Sequence, residues 1–247
     1  MKFVGVIILV LLSSILVLAQ KTPITVYLAG DSTMAEKTSD KRPETGWGEY
    51  LQSRFDESKV KIENHAQNGR STKSFISEGR WQKIVDALKK GDFVFIEFGH
   101  NDEKLDKPGV GAAANGEYRE NLIRFVRDVR AKKGFPILLT PVMRRRFDDN
   151  GKFFDTHGEY PDAVRKVAAE QKVPLIDLHR KSEELLIKLG AEDSKKLFLI
   201  LKAGEHPNYP KGVDDNTHFS AVGAEEMARL AVEEIRVQRH KLRKYLK

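Results

Sequence analysis

The 247-residue chain contains no cysteine. Disulfides, thiol nucleophiles and thiolate metal sites are excluded, so an exported protein of this composition must be held by its core alone. A lipoprotein anchor is excluded as well, because it needs a cysteine at the cut. Only seven histidines occur, and apart from His218 they (65, 100, 157, 179, 206, 240) show no metal-ligand spacing. The HExxH signature is missing, and neither a metal nor another cofactor is expected. The nucleophile elbow G-x-S-x-G is also missing, since Met34 stands where its second glycine would be, which argues against an α/β-hydrolase. There is no internal repeat and no low-complexity stretch. After the N-terminal segment no apolar run is long enough to span a bilayer.

That N-terminal segment has the features of a signal peptide over residues 1–19. Lys2 supplies a positive start, Val4 to Leu18 is apolar apart from Gly5, Ser13 and Ser14, and Val17 and Ala19 place small residues before a cut at Gln20. The expectation is a secreted or periplasmic protein with no membrane attachment after cleavage. Residues 20–247 have the length of one domain with a three-layer core. Lys and Arg total 43 against 36 for Asp and Glu, a net +7. Such a balance suits a polyanionic partner. The cations are mostly interleaved with acids, however, so nucleic acid is not expected. The one basic run, Arg236–Lys247, reads as a solvated helix end whose cations complement the macrodipole.

Short apolar runs at 24–29, 60–64, 92–98, 135–140 and 173–177 have the near-continuous character of parallel strands covered on both faces. Between them, Tyr118, Leu122, Phe125, Val126 and Val129, then Ala163, Val164, Val167 and Ala168, repeat at helical spacing. Alternation of this kind predicts a doubly wound α/β sandwich, which binds ligands beyond the carboxyl ends of its strands. Residues 99–116, 141–158 and 202–216 read as long loops around that end, and a last helix begins near Ser220.

Four polar blocks fall on this frame. Gly30-Asp31-Ser32-Thr33-Met34 follows the first run, Asn68-Gly69-Arg70-Ser71 the second and Gly99-His100-Asn101-Asp102 the third, and Asp215-Asn216-Thr217-His218 precedes the last helix. A serine at a strand end, two separate candidates for oxyanion donors, and an Asp three residues before a His supply what acyl transfer requires. The pattern points to a serine esterase. Each residue also has a plainer role to offer: Ser32 as a helix N-cap, Gly69 as a turn glycine, Asn101 as a loop cap, Asp215 and His218 as caps of the final helix.

In this order the blocks resemble the SGNH superfamily of GDSL-type hydrolases. GDSTM instead of GDSL, Thr45-Gly46-Trp47-Gly48, Thr140-Pro141-Val142-Met143-Arg144-Arg145-Arg146, and Gly204-Glu205-His206-Pro207 are similar, more narrowly, to the rhamnogalacturonan acetylesterases, which deacetylate the pectic backbone. The resemblance implies a parallel, flavodoxin-like sheet in the order 2-1-3-4-5. It implies Ser32 as nucleophile, His218 as general base and Asp215 rather than Asp214 as its orienting carboxylate. The implied oxyanion donors are the Ser32 and Gly69 backbone N–H groups and the Asn101 side chain. The expected partner is an acetylated pectic polysaccharide or oligosaccharide, and the expected state a monomer. Arg144, Arg145 and Arg146 are candidates for gripping uronate carboxylates, and Trp47 for stacking on a sugar. The rivals are an esterase for another acetylated glycan such as xylan, a lipase or thioesterase, and a non-catalytic polyanion binder.

Overall fold

A computed structural model describes residues 23–247; the expected leader lies outside them. Five strands, β1 (Ile24–Gly30), β2 (Val60–Asn64), β3 (Phe93–Glu97), β4 (Phe135–Leu139) and β5 (Leu175–Ile176), form one sheet in the order β2-β1-β3-β4-β5. Every neighbouring pair is parallel. The five apolar runs thus became the five strands, in the flavodoxin-like order.

Strand side chains alternate between faces, and the sheet separates two apolar layers accordingly. Val26, Leu28, Phe93, Phe95, Ile137 and Leu139 lie in one layer, while Tyr27, Ala29, Val94, Ile96 and Leu138 lie in the other. Helices α1 (Thr72–Ser77), α2 (Arg80–Ala87), α3 (Arg119–Ala131) and α4 (Tyr160–Gln171) pack on the second set. Helices α5 (Leu178–Asp193) and α6 (Ala221–Val237), with Trp47, Leu51 and Phe55, pack on the first. The three-layer sandwich is complete on both sides. No helix of the described residues is long and apolar enough to cross a membrane.

Two stretches depart from the expected outline. Residues 202–216 are not simply a loop: β6 (Phe198–Leu201) and β7 (Val213–Phe219) form an antiparallel hairpin apart from the main sheet. Apolar Phe198–Leu201 follows α5 and a short helical turn with no Gly or Pro to announce it. β7 reads VDDNTHF, a polar string whose strand pairing comes from its partner and not from propensity. The basic tail is also more than a solvated end. α6 stops at Val237, and the chain turns back so that Leu242 is fully buried and Leu246 bridges to Phe55.

Candidate active site

Three carboxyl ends of the sheet meet at one place. Gly30 ends β1, and Asp31 O accepts from Met34 N (3.3 Å) and Ala35 N (3.0 Å), so the chain folds tightly over Ser32. Beyond β2, Arg70 N closes a turn on Gln67 O (3.2 Å) with Gly69 at φ +76°, a backbone state that glycine adopts without steric cost. Beyond β3, the buried Asn101 donates through Nδ2 to Arg70 O (3.1 Å) and accepts from Lys104 Nζ at Oδ1 (2.6 Å). Asn101 and the Gly69 turn are thereby joined.

The fourth block arrives from β7. Register along the hairpin passes from Phe198 opposite Phe219 to Leu199 opposite Asp215, which leaves residues 216–218 without partners across the ladder. In this bulge Asp215 Oδ1 accepts from Thr217 N (2.8 Å) and His218 N (3.0 Å). Its Oδ2 lies 2.7 Å from His218 Nδ1, and His218 Nε2 lies 2.9 Å from Ser32 Oγ. Asp215 and His218, three residues apart, meet inside a strand and not at a helix cap. Ser220, two residues on, caps α6 by accepting from Gly223 N. Asp214 is exposed and accepts from Asn216 Nδ2, away from His218.

Residues 45–48 hold the two ends of this line together. Thr45 N donates to Phe219 O (3.0 Å), next to His218, while Trp47 N donates to Thr33 O (2.9 Å) and Gly48 N to Met34 O (3.2 Å). The approach needs glycine: a Cβ on Gly46 would stand 2.0 Å from Ala35 O. Trp47 is fully buried, with Nε1 donating to Glu97 Oε2 (3.0 Å), so it has no face to offer a sugar. It packs against the Ser32 turn, its backbone N–H bonded to Thr33 O.

Below Ser32 the charges are buried. Burial pushes the Asp31 carboxyl up, but the facing His100 and the Thr33 N–H and hydroxyl outweigh it and hold Asp31 at about 2. His100 Nδ1 stands 3.4 Å from Asp31 Oδ2, close in charge but not a formed hydrogen bond, and both atoms lack other partners. Burial carries His100 down to about 4, so it is neutral at pH 7. Burial and the Asp31 charge push Glu97 up to about 8. It is a carboxylic acid at neutral pH, accepting from Trp47 and from Val142 N (3.2 Å), with Thr33 Oγ1 at 3.3 Å. At Asp215 burial again raises, and the hydrogen bond and charge of His218 with two backbone N–H groups prevail, giving about 2. The His218 partner is therefore a carboxylate over the whole working range.

The three arginines separate. Arg144 pairs with Glu103 (2.8 Å), which also meets His157 Nδ1, and this cluster is mostly shielded from solvent. Arg145 donates to Asn216 Oδ1 (2.6 Å), Ser194 Oγ (3.1 Å) and Ala191 O, while its backbone N–H donates to Asn216 O (2.8 Å). It clamps the bulge that carries Asp215 and His218. Arg145 has neutral partners only, and Arg146, half-buried, has neither an ion pair nor a side-chain hydrogen bond among the described residues. The run is not one cationic patch for substrate. Sequence reasoning missed Arg145 as a clamp, Glu97 as a buried acid, and Lys37, whose ammonium lies beneath Ser32. Their contacts reach 31 to 71 residues along the chain, and no local spacing announces them.

A flavodoxin-like sheet with this polar set at its carboxyl edge defines an ester hydrolase of the SGNH type. The sequence model of the GDSL-like lipase/acylhydrolase family matches residues 28–225, and the chain belongs to that family. The rhamnogalacturonan acetylesterase RhgT of Bacillus subtilis (strain 168) is 45% identical over 215 residues, covering 87% of this chain and 90% of its own. The rhamnogalacturonan acetylesterase of Emericella nidulans is 30% identical over 236 residues, covering 88% and 86%. Among solved structures, the Bacillus subtilis protein YxiM superposes with a TM-score of 0.76 at 27% identity, over 89% of this chain and 58% of that one. Axe2, an acetylxylan esterase from Geobacillus stearothermophilus, gives 0.60 at 21% identity over 87% and 96%, a likeness of fold.

Proposed function

We propose that the chain is an exported serine esterase that removes acetyl groups from rhamnogalacturonan. The chemistry rests on one observation above the others: the line Asp215 Oδ2, His218 Nδ1, His218 Nε2, Ser32 Oγ, at 2.7 and 2.9 Å. His218 Nε2 takes the Ser32 proton as Oγ bonds to the acetyl carbon. The tetrahedral oxyanion is met by the N–H groups of Ser32 and Gly69 and the free Asn101 Nδ2–H. As the C–O bond to the sugar breaks, the His218 imidazolium returns its proton to the leaving oxygen. Water, deprotonated by His218, then attacks the acetyl-serine and releases acetate. The Asp215 carboxylate keeps the imidazole oriented and stabilises its cation.

The choice of rhamnogalacturonan draws on the 45% and 30% identities to enzymes of that name. Export draws on the leader-like residues 1–19. Two measurements test the reading. A fluorophosphonate label should map to Ser32. Acetate release across acetylated rhamnogalacturonan, xylan and chitin should favour the first; a preference for xylan, or no release from any of them, overturns the substrate assignment.

A further inference from the structure

Lys37 lies five residues after Ser32, yet its side chain has no solvent exposure. Nζ donates to the carbonyl oxygen of Ser32 and to Asn68 Oδ1 (2.8 Å), and pairs with Glu44 Oε1 (2.8 Å). An ammonium has three donors. All three are used within the protein, so none remains for a substrate, and Lys37 is not a binding residue. A buried charge is tolerated only when it is paired and hydrogen-bonded, and Glu44, itself buried, supplies the counter-charge.

Its acceptors belong to separate parts of the site. Ser32 carries the hydroxyl and one oxyanion N–H, and Asn68 is joined through its own peptide to the Gly69 N–H. That peptide is held at its other end, where Asn68 O accepts from Arg70 Nη1 (2.8 Å). Between the Ser32 turn and the Gly69 turn there is one direct backbone bond, Gln67 N to Gly30 O at 3.0 Å. A single bond acts as a pivot; a second, off its axis, fixes the angle. Asn64 braces the end of β2, donating through Nδ2 to Met34 O (2.9 Å) while its Oδ1 accepts from Ala66 N (3.1 Å), and Lys37 is the link that reaches the Gly69 turn itself.

We infer that Lys37, through Asn68, is a positioning residue of the oxyanion hole, fixing the Gly69 N–H relative to Ser32. The inference rests on the acetylesterase reading. An interaction that orients donors toward the oxyanion acts in the transition state more than in the ground state, so its loss lowers kcat and spares KM.

Lys37→Met alone would strand Glu44 as a buried lone carboxylate, so the link is cut in two gentler ways: Asn68→Ala, and Lys37→Met with Glu44→Gln. For p-nitrophenyl acetate, each should lower kcat about 10- to 100-fold, the scale of a small misplacement in a site, with KM within about twofold. Asn68→Asp, which keeps the acceptor, should recover most of the loss. The two cuts combined should cost no more than the larger alone, because both break one link. Unchanged kcat in a folded Asn68→Ala protein, or losses that multiply, would overturn the inference. ¹⁵N relaxation of the Ser32 and Gly69 amides gives a readout independent of hydrolysis. The Gly69 order parameter should fall in both variants, and a rigid, unshifted Gly69 amide would refute the link. Wild-type protein inactive on every acetyl ester would instead remove the acetylesterase reading, and relaxation would then decide the role of Lys37.

Discussion

Asp214 and Asp215 are neighbours of one chemical type with different surroundings: one is exposed and the other holds His218. Asp215→Asn keeps the shape but favours the wrong imidazole tautomer, a change worth about 10⁴ in kcat in the protease triad. A loss of that order is expected here, whereas Asp214→Asn should stay within about twofold of wild type; steady-state kinetics on p-nitrophenyl acetate reads both, and reversed effects would assign the wrong carboxylate. The arginines are separated by the same logic. Arg145→Ala should impair a small neutral ester and the polymer alike, because it frees the bulge under His218. Arg146→Ala should raise KM for the polymer alone, and modestly, since an exposed ion pair contributes only about 0.2–1 kcal/mol. Equal losses on both substrates for Arg146 would refute a substrate contact. The meeting of Ser32 with His218 and Asp215 was legible, since one block follows a strand run and the other sets an Asp three residues before its His. Arg144 and Arg145 misled because a basic run looks the same whether its partners are substrate or protein. Trp47 misled in a similar way, its burial depending on a sheet that the local sequence does not display.

Among the elements, β1, β3 and β4 were readable because they are largely buried on both faces and nearly apolar throughout, and the edge strand β2, VKIEN with Lys61 exposed, through Val60 and Ile62. The β6–β7 hairpin was not. Its second strand carries Asp214, Asp215, Asn216, Thr217 and His218, types chosen for the site at the expense of strand propensity. Functional residues hid the element that bears them. The crosspiece Thr45–Gly48 matters as an element too, since it ties the end of β7 to the Ser32 turn. Gly46→Ala would drive a methyl to 2.0 Å from Ala35 O. Overpacking of this kind costs about 1–3 kcal/mol, which for a domain of this size lowers Tm by about 2–12 °C. Calorimetry should show that drop together with reduced turnover; an unaltered Tm would mean that the crosspiece yields without consequence.

At the scale of the whole molecule, buried groups of opposite tendency set the response to pH. His100 is held down to about 4 from 6.5, so the unfolded chain takes up a proton there that the native protein does not, and stability falls as pH drops from 6.5 to 4. Asp31 and Asp215, at about 2 against 3.8, add a further loss between 3.8 and 2. Glu97 has the opposite sign: at about 8 against 4.5, the native protein keeps a proton that the unfolded chain releases, so stability falls as pH rises from 4.5 to 8. Burial raises Asp102 as well, in the same direction. The slopes from Glu97 and His100 oppose each other between 4.5 and 6.5, where Tm should pass through a broad maximum. Glu97→Gln should flatten the alkaline limb of a Tm-against-pH series, and a limb of unchanged slope would remove Glu97 as its cause. The whole arrangement converges on one hydroxyl. The most direct measurement is therefore acetate release from acetylated rhamnogalacturonan by wild type and by a folded Ser32→Ala variant. Release by the wild type and a loss of at least about 10⁴ in the variant is the predicted result, and undiminished release without the Ser32 hydroxyl would contradict it.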